Sequence, residues 1–226
     1  MKPHTLFLLL SSALLACQGG SDTPERTPGG AAGAEGDVPR TTGTRTSERD
    51  SWQQPDVVLD IMGDLTGRTV ALLFADDGYW VAPLVDRGAK VIALDPDAAD
   101  RQALEALRDQ VGAGMLEVRA TDGNTTGLGM READMALCVN NYMAPADRIG
   151  FYQQVRLGLK EPRQIFFVDM KGPERPAGVS TYPIPDINTI MDELGAAGCT
   201  DVASRSNLLP YQFVMVGQDV HEVPYP

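Results

Sequence analysis

Acidic residues stand at the ends of two apolar runs, where carboxylates can take part in binding. Asp76 and Asp77 follow the apolar run 70–74 after one intervening alanine, and Asp95 follows a second run at 91–94. Uninterrupted apolar runs of this length are typical of strands buried on both faces of a parallel sheet. Because the carboxyl ends of parallel strands meet at one edge, the sequence predicts that these carboxylates border a common crevice, as in nucleotide-binding βαβ units.

Each of these carboxylates has a binding interpretation and a structural one. Asp95 either accepts hydrogen bonds from the ribose hydroxyls of a nucleoside or caps the helix after it, and its position favours the nucleoside. For Asp122, in a later loop, both interpretations stay open. Asp76 and Asp77 form either a new site or an N-terminal cap for the helix that starts near Tyr79. The cap is favoured, since acidic groups stabilise helix N-termini.

A cation site at the same edge is a further alternative. The carboxylate oxygens that Mg²⁺ or Ca²⁺ prefers would come from five residues at the rim: Asp76, Asp77, Asp95, Asp122 and Asp169. The chain is acidic throughout, with 31 Asp plus Glu against 19 Lys plus Arg, so surface carboxylates are common and no metal is assigned. A zinc site is excluded, because the only histidines are His4 and His221 and no CxxC spacing is present.

Helical and strand patterns alternate along residues 51–217, and this alternation predicts the scaffold that positions the carboxylates. Helices are predicted at 51–62, from 79 to the residue before Gly88, and at 96–111, 147–159 and 185–197. Strands are predicted at 70–74, 91–94, 115–119, 133–139, 164–168, 201–204 and 211–216. Two loops are predicted, at 121–129 and at 170–184, and the second is long enough to be a lid or a substrate wall. Parallel strands joined by helices and closed by an antiparallel hairpin make an α/β fold, a three-layer α/β/α sandwich.

The helical period also predicts which side chains face the sheet. In the helices at 147–159 and 185–197 they are Ile149, Tyr152, Val155, Leu159, Ile187, Ile190, Met191 and Leu194. Cys138 and Cys199 lie in or next to predicted strands. They either pair as a disulfide or remain two free buried thiols, and the free thiols are favoured because a cysteine in a central strand is usually a small buried hydrophobe.

The first 50 residues have the pattern of a targeting segment followed by a tether. Residues 1–17 carry Lys2, a short apolar run and the sequence Leu-Leu-Ala-Cys, which looks like a bacterial lipobox ending at Cys17. Cleavage before Cys17 and acylation of its thiol would anchor the chain to a membrane of the bacterial cell envelope. The alternative is an ordinary cleaved signal with a chance cysteine. Residues 18–50, rich in Gly, Ser, Thr and Pro, predict a disordered linker, and residues 218–226 form a tail.

The charge of the chain limits its partners. The formal net charge is −12, and no cluster of Lys and Arg is present, so a nucleic-acid partner is not expected. The apolar run in the first 17 residues is too short to span a bilayer, so membrane contact is expected only through the anchor. The crevice described above therefore predicts a small-molecule ligand.

The ordered set of motifs resembles the class I S-adenosylmethionine-dependent methyltransferases over nearly all of residues 51–217. The resemblance depends on DDGYW after the first strand, VIALDPD after the second, the acidic Asp122, LCVNNYM after the fourth strand and GLKEPRQIFFVDMK at the fifth. It implies a Rossmann-like, seven-stranded, mostly parallel sheet of order 3-2-1-4-5-7-6 with strand 7 antiparallel. It also implies S-adenosylmethionine as cofactor.

The resemblance assigns roles to particular residues. The loop Asp76-Asp77-Gly78 would approach the amino-acid end of the cofactor, with Gly78 leaving room for the backbone. Asp95 would accept the ribose hydroxyls and Asp122 the adenine amine. Asn140 and Tyr142 would lie near the site of methyl transfer.

The first motif departs from the family pattern of an acidic residue and three alternating glycines. Those positions hold Leu72, Phe74, Asp76 and Gly78, so only the last glycine is kept. Phe74 is expected to place a ring, and Asp76 a negative charge, where the cofactor must come close. A His-His pair found in relatives after the strand-four tyrosine is replaced by Met143-Ala144.

Two functions follow from this resemblance and its departures. The first is methyl transfer from S-adenosylmethionine to a small acceptor by a lipid-anchored enzyme. The second is a catalytically lapsed methyltransferase fold that serves as a ligand-binding or interaction module of the envelope, where the cofactor is not expected to be plentiful. NAD-dependent oxidoreduction is a weaker third, because the GxGxxG fingerprint is absent.

Overall fold

The computed structural model describes residues 47–112, 114–176, 179 and 184–220. The predicted signal segment with Cys17, the linker up to residue 46, part of the predicted lid and the last six residues of the tail lie outside the described residues. In the described part of the chain no helix has the length and apolar character needed to cross a bilayer.

Six helices and seven strands make up the described part of the chain. The helices are α1 (Ser47–Gln53), α2 (Pro55–Met62), α3 (Val81–Asp86), α4 (Ala98–Val111), α5 (Arg148–Gly158) and α6 (Ile187–Ala196). The strands are β1 (Thr69–Leu73), β2 (Lys90–Asp95), β3 (Leu116–Ala120), β4 (Ala133–Val139), β5 (Leu159–Met170), β6 (Asp201–Arg205) and β7 (Gln212–Gln218).

The strands form one seven-stranded sheet of order β3-β2-β1-β4-β5-β7-β6. Strands β3, β2, β1, β4 and β5 pair in parallel, whereas β7 is antiparallel to both β5 and β6. The predicted order and the antiparallel seventh strand are confirmed. β1 lies in the middle of the sheet, between β2 and β4, so the loops after these three strands meet at one edge.

The apolar residues of the strands divide into two core layers, one on each face of the sheet. On one face, Val58 of α2, Leu84 of α3 and Leu104 of α4 are fully buried against β1 and β2. On the other face α5 and α6 pack through Tyr152, Val155, Ile190 and Leu194. This arrangement confirms the three-layer sandwich. It also confirms two free buried thiols, at Cys138 and Cys199.

Two side chains that were predicted to face the sheet are exposed. Ile149 is 41% exposed and Met191 38% exposed. α5 begins at Arg148, so Ile149 lies in its first turn, and Phe151, Tyr152 and Val155 form the buried face. In α6 the buried pair is Ile190 and Leu194, four residues apart, which turns Met191 about 100° away from the sheet. Both assignments were wrong.

The predicted helix 51–62 is two helices. Gln54 separates α1 from α2 with φ 45° and ψ 61°, a left-handed conformation that no α-helix contains. α1 also begins four residues before the predicted start of the domain, at Ser47. The N-terminal element therefore has a bend, and its first half lies close to the loop after β1, as described below.

Candidate functional site

The loop after β1 has positive φ at three alternate residues. Phe74, Asp76 and Gly78 have φ values of 52°, 47° and 75°. These are the three positions at which the resembling family has glycine, and side-chain-bearing residues adopt such values at a cost of about 1–2 kcal/mol each, less for Asp. Phe74 and Asp76 therefore hold, with a side chain, a backbone conformation that glycine adopts without this cost.

Gly78 is required by the packing of α4. A Cβ atom at this position would lie 2.5 Å from Leu107 Cδ1 and 2.9 Å from Leu104 Cδ2. Real Cβ atoms do not approach other heavy atoms this closely, so a larger residue would force these two leucine side chains to shift. The glycine that was assigned to cofactor approach therefore also has a structural role.

Asp95 ties the first loop to the start of α4. Its Oδ2 accepts the backbone N–H of Asp76 at 2.8 Å, and its Oδ1 accepts the backbone N–H of Asp97 at 2.8 Å. Asp97 in turn caps α4 by accepting the N–H groups of Ala99 and Asp100. The helix cap that was the alternative for Asp95 belongs to Asp97, and Asp95 holds the two walls of the crevice together.

Three carboxylates meet at this edge. One oxygen from each of Asp76, Asp95 and Asp100 lies within 4.8 Å of the others. Burial, together with the negative charges of Asp95 and Asp77, raises the pKa of Asp76 to about 6, although a hydrogen bond from Asn141 opposes the shift. Burial also raises the pKa of Asp95. Ionisation of these neighbouring carboxyls is therefore disfavoured in the folded chain.

A side-chain hydrogen bond closes the crevice from β1 to β4. Asn141 Nδ2 donates to Asp76 Oδ2 at 2.9 Å and to the Val139 carbonyl at 3.1 Å. Asp76 follows β1 and Asn141 follows β4, so this bond spans the gap between neighbouring strand ends. Phe74 does not contribute the expected bulk, because its ring lies 5.4 Å from that of Phe151 in the core and the residue is 6% exposed. The obstruction comes from Asp76.

Asp77 faces the opposite way, towards α1. Its Oδ1 accepts the N–H of Tyr79 at 3.1 Å, and its Oδ2 forms an ion pair with Arg49. The first contact stabilises the turn before α3, in line with the structural interpretation, although the N-cap position of α3 is Trp80.

Asp122 and Asp169 are also engaged with backbone. Asp122 is exposed and accepts the N–H groups of Thr125 and Asn124, which lower its pKa. It stabilises its own turn. Asp169 is buried, accepts the N–H of Met170 at 2.8 Å, and has its pKa raised to about 6 by burial. Neither belongs to the cluster of Asp76 and Asp95.

Asn140 and Tyr142 point into different surroundings. Asn140 has φ 57°, and its Oδ1 accepts a hydrogen bond from Gln212 Nε2 at 2.8 Å. The Tyr142 ring is buried and stacks on Tyr152 at a centroid distance of 5.1 Å. Its hydroxyl donates to Glu193. Burial is the main cause that raises the pKa of Tyr142, and the Glu193 carboxylate adds to the increase. Tyr142 is thus part of the core between α5 and α6.

Sequence reasoning missed two residues of the site, Asp100 and Asn141. Asp100 lies in the first turn of α4, three residues after the N-cap Asp97. Its place in the sequence, just after the end of β2 and at the start of a predicted helix, could have indicated that it lies near Asp95. Asn141 adjoins the predicted Asn140. Its backbone neighbour at φ 57° turns the chain so that Asn141, not Asn140, reaches Asp76, and residue types alone do not reveal this turn.

The comparisons with known proteins show the fold. No protein-family model and no curated protein sequence gives a match. Among solved structures, a SAM-dependent methyltransferase from Aquifex aeolicus is 19% identical, with a TM-score of 0.67 over 77% of this chain and 94% of that one. This chain has the S-adenosylmethionine-dependent methyltransferase fold.

Further structures agree with this fold at lower identity. The putative methyltransferase in complex with the Haloferax volcanii Trm112 activator is 15% identical, with a TM-score of 0.61 over 77% of this chain and 92% of that chain. An S-adenosylmethionine-dependent methyltransferase from Mesorhizobium loti is 14% identical, with a TM-score of 0.58 over 75% of this chain and 99% of that chain.

The residues of this methyltransferase fold suit one half of the cofactor better than the other. Asp95 stands at the end of β2, where a carboxylate suits ribose hydroxyls, and the loop path from 74 to 78 suits close approach of a ligand to backbone. The carboxylate of Asp76 lies where the family pattern has no side chain, and it is bonded across the crevice. Asp95 is 1% exposed and both of its oxygens accept backbone N–H groups, so a ribose would have to share those acceptors, and the amino-acid half would meet the carboxylate of Asp76.

Proposed function

We propose that the domain binds S-adenosylmethionine at the carboxyl edge of β1, β2 and β4 and transfers its methyl group to a small acceptor. The observation that carries this proposal is the backbone path at Phe74, Asp76 and Gly78. All three residues keep positive φ although two of them bear side chains that oppose it. A strained loop that persists without glycine is typical of a functional constraint.

The chain's own residues would act mainly by positioning. Asp95 would hold the ribose, and the backbone around Gly78 would lie along the amino-acid end. When bound, the cofactor supplies the activated methyl group. The protein then contributes orientation for an in-line displacement and exclusion of water, with no nucleophile of its own.

A second candidate, a lapsed methyltransferase fold that serves as a binding or interaction module, is favoured by the Asp76–Asn141 bond. An ionised Asp76 would repel the cofactor's carboxylate by up to ~4 kcal/mol at a separation of ~4 Å and an effective dielectric near 20, and attraction of the cofactor's ammonium group would offset part of this. That is about half of the ~8 kcal/mol that a micromolar ligand gains on binding. The crevice would then be closed by its own side chains.

Calorimetric titration of the full chain with S-adenosylmethionine and S-adenosylhomocysteine distinguishes the methyltransferase from the lapsed fold. Saturable binding at micromolar ligand supports the enzyme, and silence at millimolar ligand rejects it. The variant Asp76→Gly removes the charge, the strain and the bond to Asn141, so it should bind more tightly than the natural chain. Asp109→Asn, an exposed change on α4, is the control and should bind as the natural chain does.

We also propose that the chain is a lipoprotein of the bacterial cell envelope, anchored through Cys17. The lipobox-like Leu-Leu-Ala-Cys sequence and the following polar linker support this. Metabolic labelling with a fatty acid should mark the natural chain and leave Cys17→Ser unlabelled. Equal labelling of both would reject the anchor.

A further inference from the structure

The helix α1 is fastened to the loop that forms one wall of the crevice. Arg49 Nη1 contacts Asp77 Oδ2 at 2.5 Å, and the Arg49 guanidinium carbon lies 4.0 Å from the centroid of the Tyr79 ring. Asp50 accepts a hydrogen bond from the Tyr79 hydroxyl. Asp77 and Tyr79 flank Gly78, so α1 holds the loop on both sides of this glycine.

The chain bends immediately after α1. Gln54 adopts φ 45° and ψ 61° with no side-chain cap on α2, a conformation that a residue with a Cβ adopts at a cost. The neighbouring Gln53 is fully buried, and within the described part of the chain its Nε2 has no hydrogen-bond partner. An unpaired buried amide and a left-handed joint both lower the free energy needed to release α1.

α1 is held by these polar contacts and by one large apolar side chain, Trp52, which is 9% exposed. α1 has seven residues, and an isolated helix of this length does not form in water. α2 differs, because Val58 and Leu59 are fully buried in the core. Loss of the contacts to Asp77 and Tyr79 is therefore expected to release α1 while α2 stays in place.

We propose that α1 is a strap that closes on the loop after β1, and that its docking and the binding of ligand in the crevice stabilise each other. The docked strap holds Asp77 and Tyr79, and with them the loop path on which binding depends. Coupling of this kind is reciprocal, so a ligand that orders the loop also favours the docked strap. The identity of the ligand rests on the proposed function, whereas the strap itself does not.

Hydrogen exchange of the full chain tests the strap without ligand. In Arg49→Gln, we expect the amides of α1, including Gln54 N–H bonded to Asp50 O, to exchange about tenfold faster, equivalent to about 1.4 kcal/mol. The Gly63 N–H at the end of α2 should keep its rate. The control Arg87→Gln removes exposed ion pairs to α2 and should leave α1 unchanged.

Two further variants separate the contacts. Asp77→Asn keeps an acceptor for the Tyr79 N–H but removes the charge opposite Arg49, and Tyr79→Phe removes only the hydroxyl that Asp50 accepts. Both should speed exchange in α1 by less than Arg49→Gln does. Unchanged α1 exchange in Arg49→Gln, or equal acceleration in α2, overturns the strap.

Titration with S-adenosylhomocysteine tests the coupling. Saturating ligand should slow exchange in α1, and Arg49→Gln should weaken ligand affinity by at most the factor by which ligand slows exchange, a limit reached only when α1 is fully undocked. Bound ligand with unchanged α1 exchange overturns the coupling. Failure of the ligand to bind at millimolar concentration rejects the proposed function and the coupling, while exchange without ligand still decides whether the strap exists.

Discussion

Asp76 should make the domain less stable at neutral pH than at mildly acidic pH. Burial raises its pKa from 3.8 to about 6. Below pH 3.8 the carboxyl is protonated in both the folded and the unfolded chain, and its contribution to stability is then fully present. As the pH rises through 6, the folded chain must ionise a carboxyl in a site that disfavours the charge, so that contribution is lost.

The variant Asp76→Asn isolates this effect because it keeps the shape and an oxygen for Asn141. Roughly two pH units at 1.36 kcal/mol each give an upper bound of about 3 kcal/mol. Since the side chain is partly exposed, we expect the variant to be about 1–2 kcal/mol more stable at pH 8. Asp169, whose pKa is also raised to about 6, contributes equally to both proteins and cancels in the difference.

Thermal or urea unfolding at pH 4 to 8 measures the difference in the free energy of unfolding. At pH 8 the melting temperature of Asp76→Asn should exceed that of the natural chain by roughly 3–6 °C, and the gap should shrink as the pH falls through 6. Asp109→Asn, on the exposed side of α4, should change stability by less than about 0.5 kcal/mol at any pH. A pH-independent gap for Asp76→Asn would refute the assigned cause.

Three more substitutions test other parts of the structure. Gly78→Ala should lower the free energy of unfolding by about 2–4 kcal/mol, because φ is 75° and the new Cβ would meet Leu107 at 2.5 Å. Urea unfolding measures this, and a neutral result would contradict the packing. Tyr142→Phe should lower the free energy of unfolding by about 1 kcal/mol, because the hydrogen bond to Glu193 is lost. Ligand affinity, measured by calorimetric titration, should stay unchanged. Weaker binding would show that Tyr142 takes part in the binding site. Asp219→Asn should cost about 2–4 kcal/mol, since Asp219 is 4% exposed and pairs with two arginines, and an unchanged melting temperature would contradict this.

The sheet was predictable from the sequence because its strands are buried on both faces. β1, the apolar part of β2 and the part of β4 after Asp134 are uninterrupted apolar runs, whereas the order of the strands was implied by the resemblance to the methyltransferases. The helix faces were less well determined. In α5 the spacing of apolar residues is compatible with more than one buried face, and the residue at which the helix starts determines whether Ile149 faces the sheet.

The site was predictable only at its strand ends. Asp76 and Asp95 meet because the register of β1 and β2 brings their carboxyl ends level, a consequence of topology. Asp122 does not join them, because Asn124 and Thr125 offer backbone N–H groups two and three residues away, and such local bonds need no long-range geometry. The contact between Arg49 and Asp77 spans 28 residues and depends on the bend at Gln54, which no residue pattern marks.

The affinity for S-adenosylhomocysteine at pH 5 and pH 8 tests the central claim that this crevice is the cofactor site. Protonation of Asp76, whose pKa is about 6, removes the charge that repels the ligand's carboxylate, so binding should be tighter at pH 5. Asp76→Asn should bind equally well at both values. Equal affinity of the natural chain at the two pH values, or no binding at millimolar ligand at either, would contradict the claim.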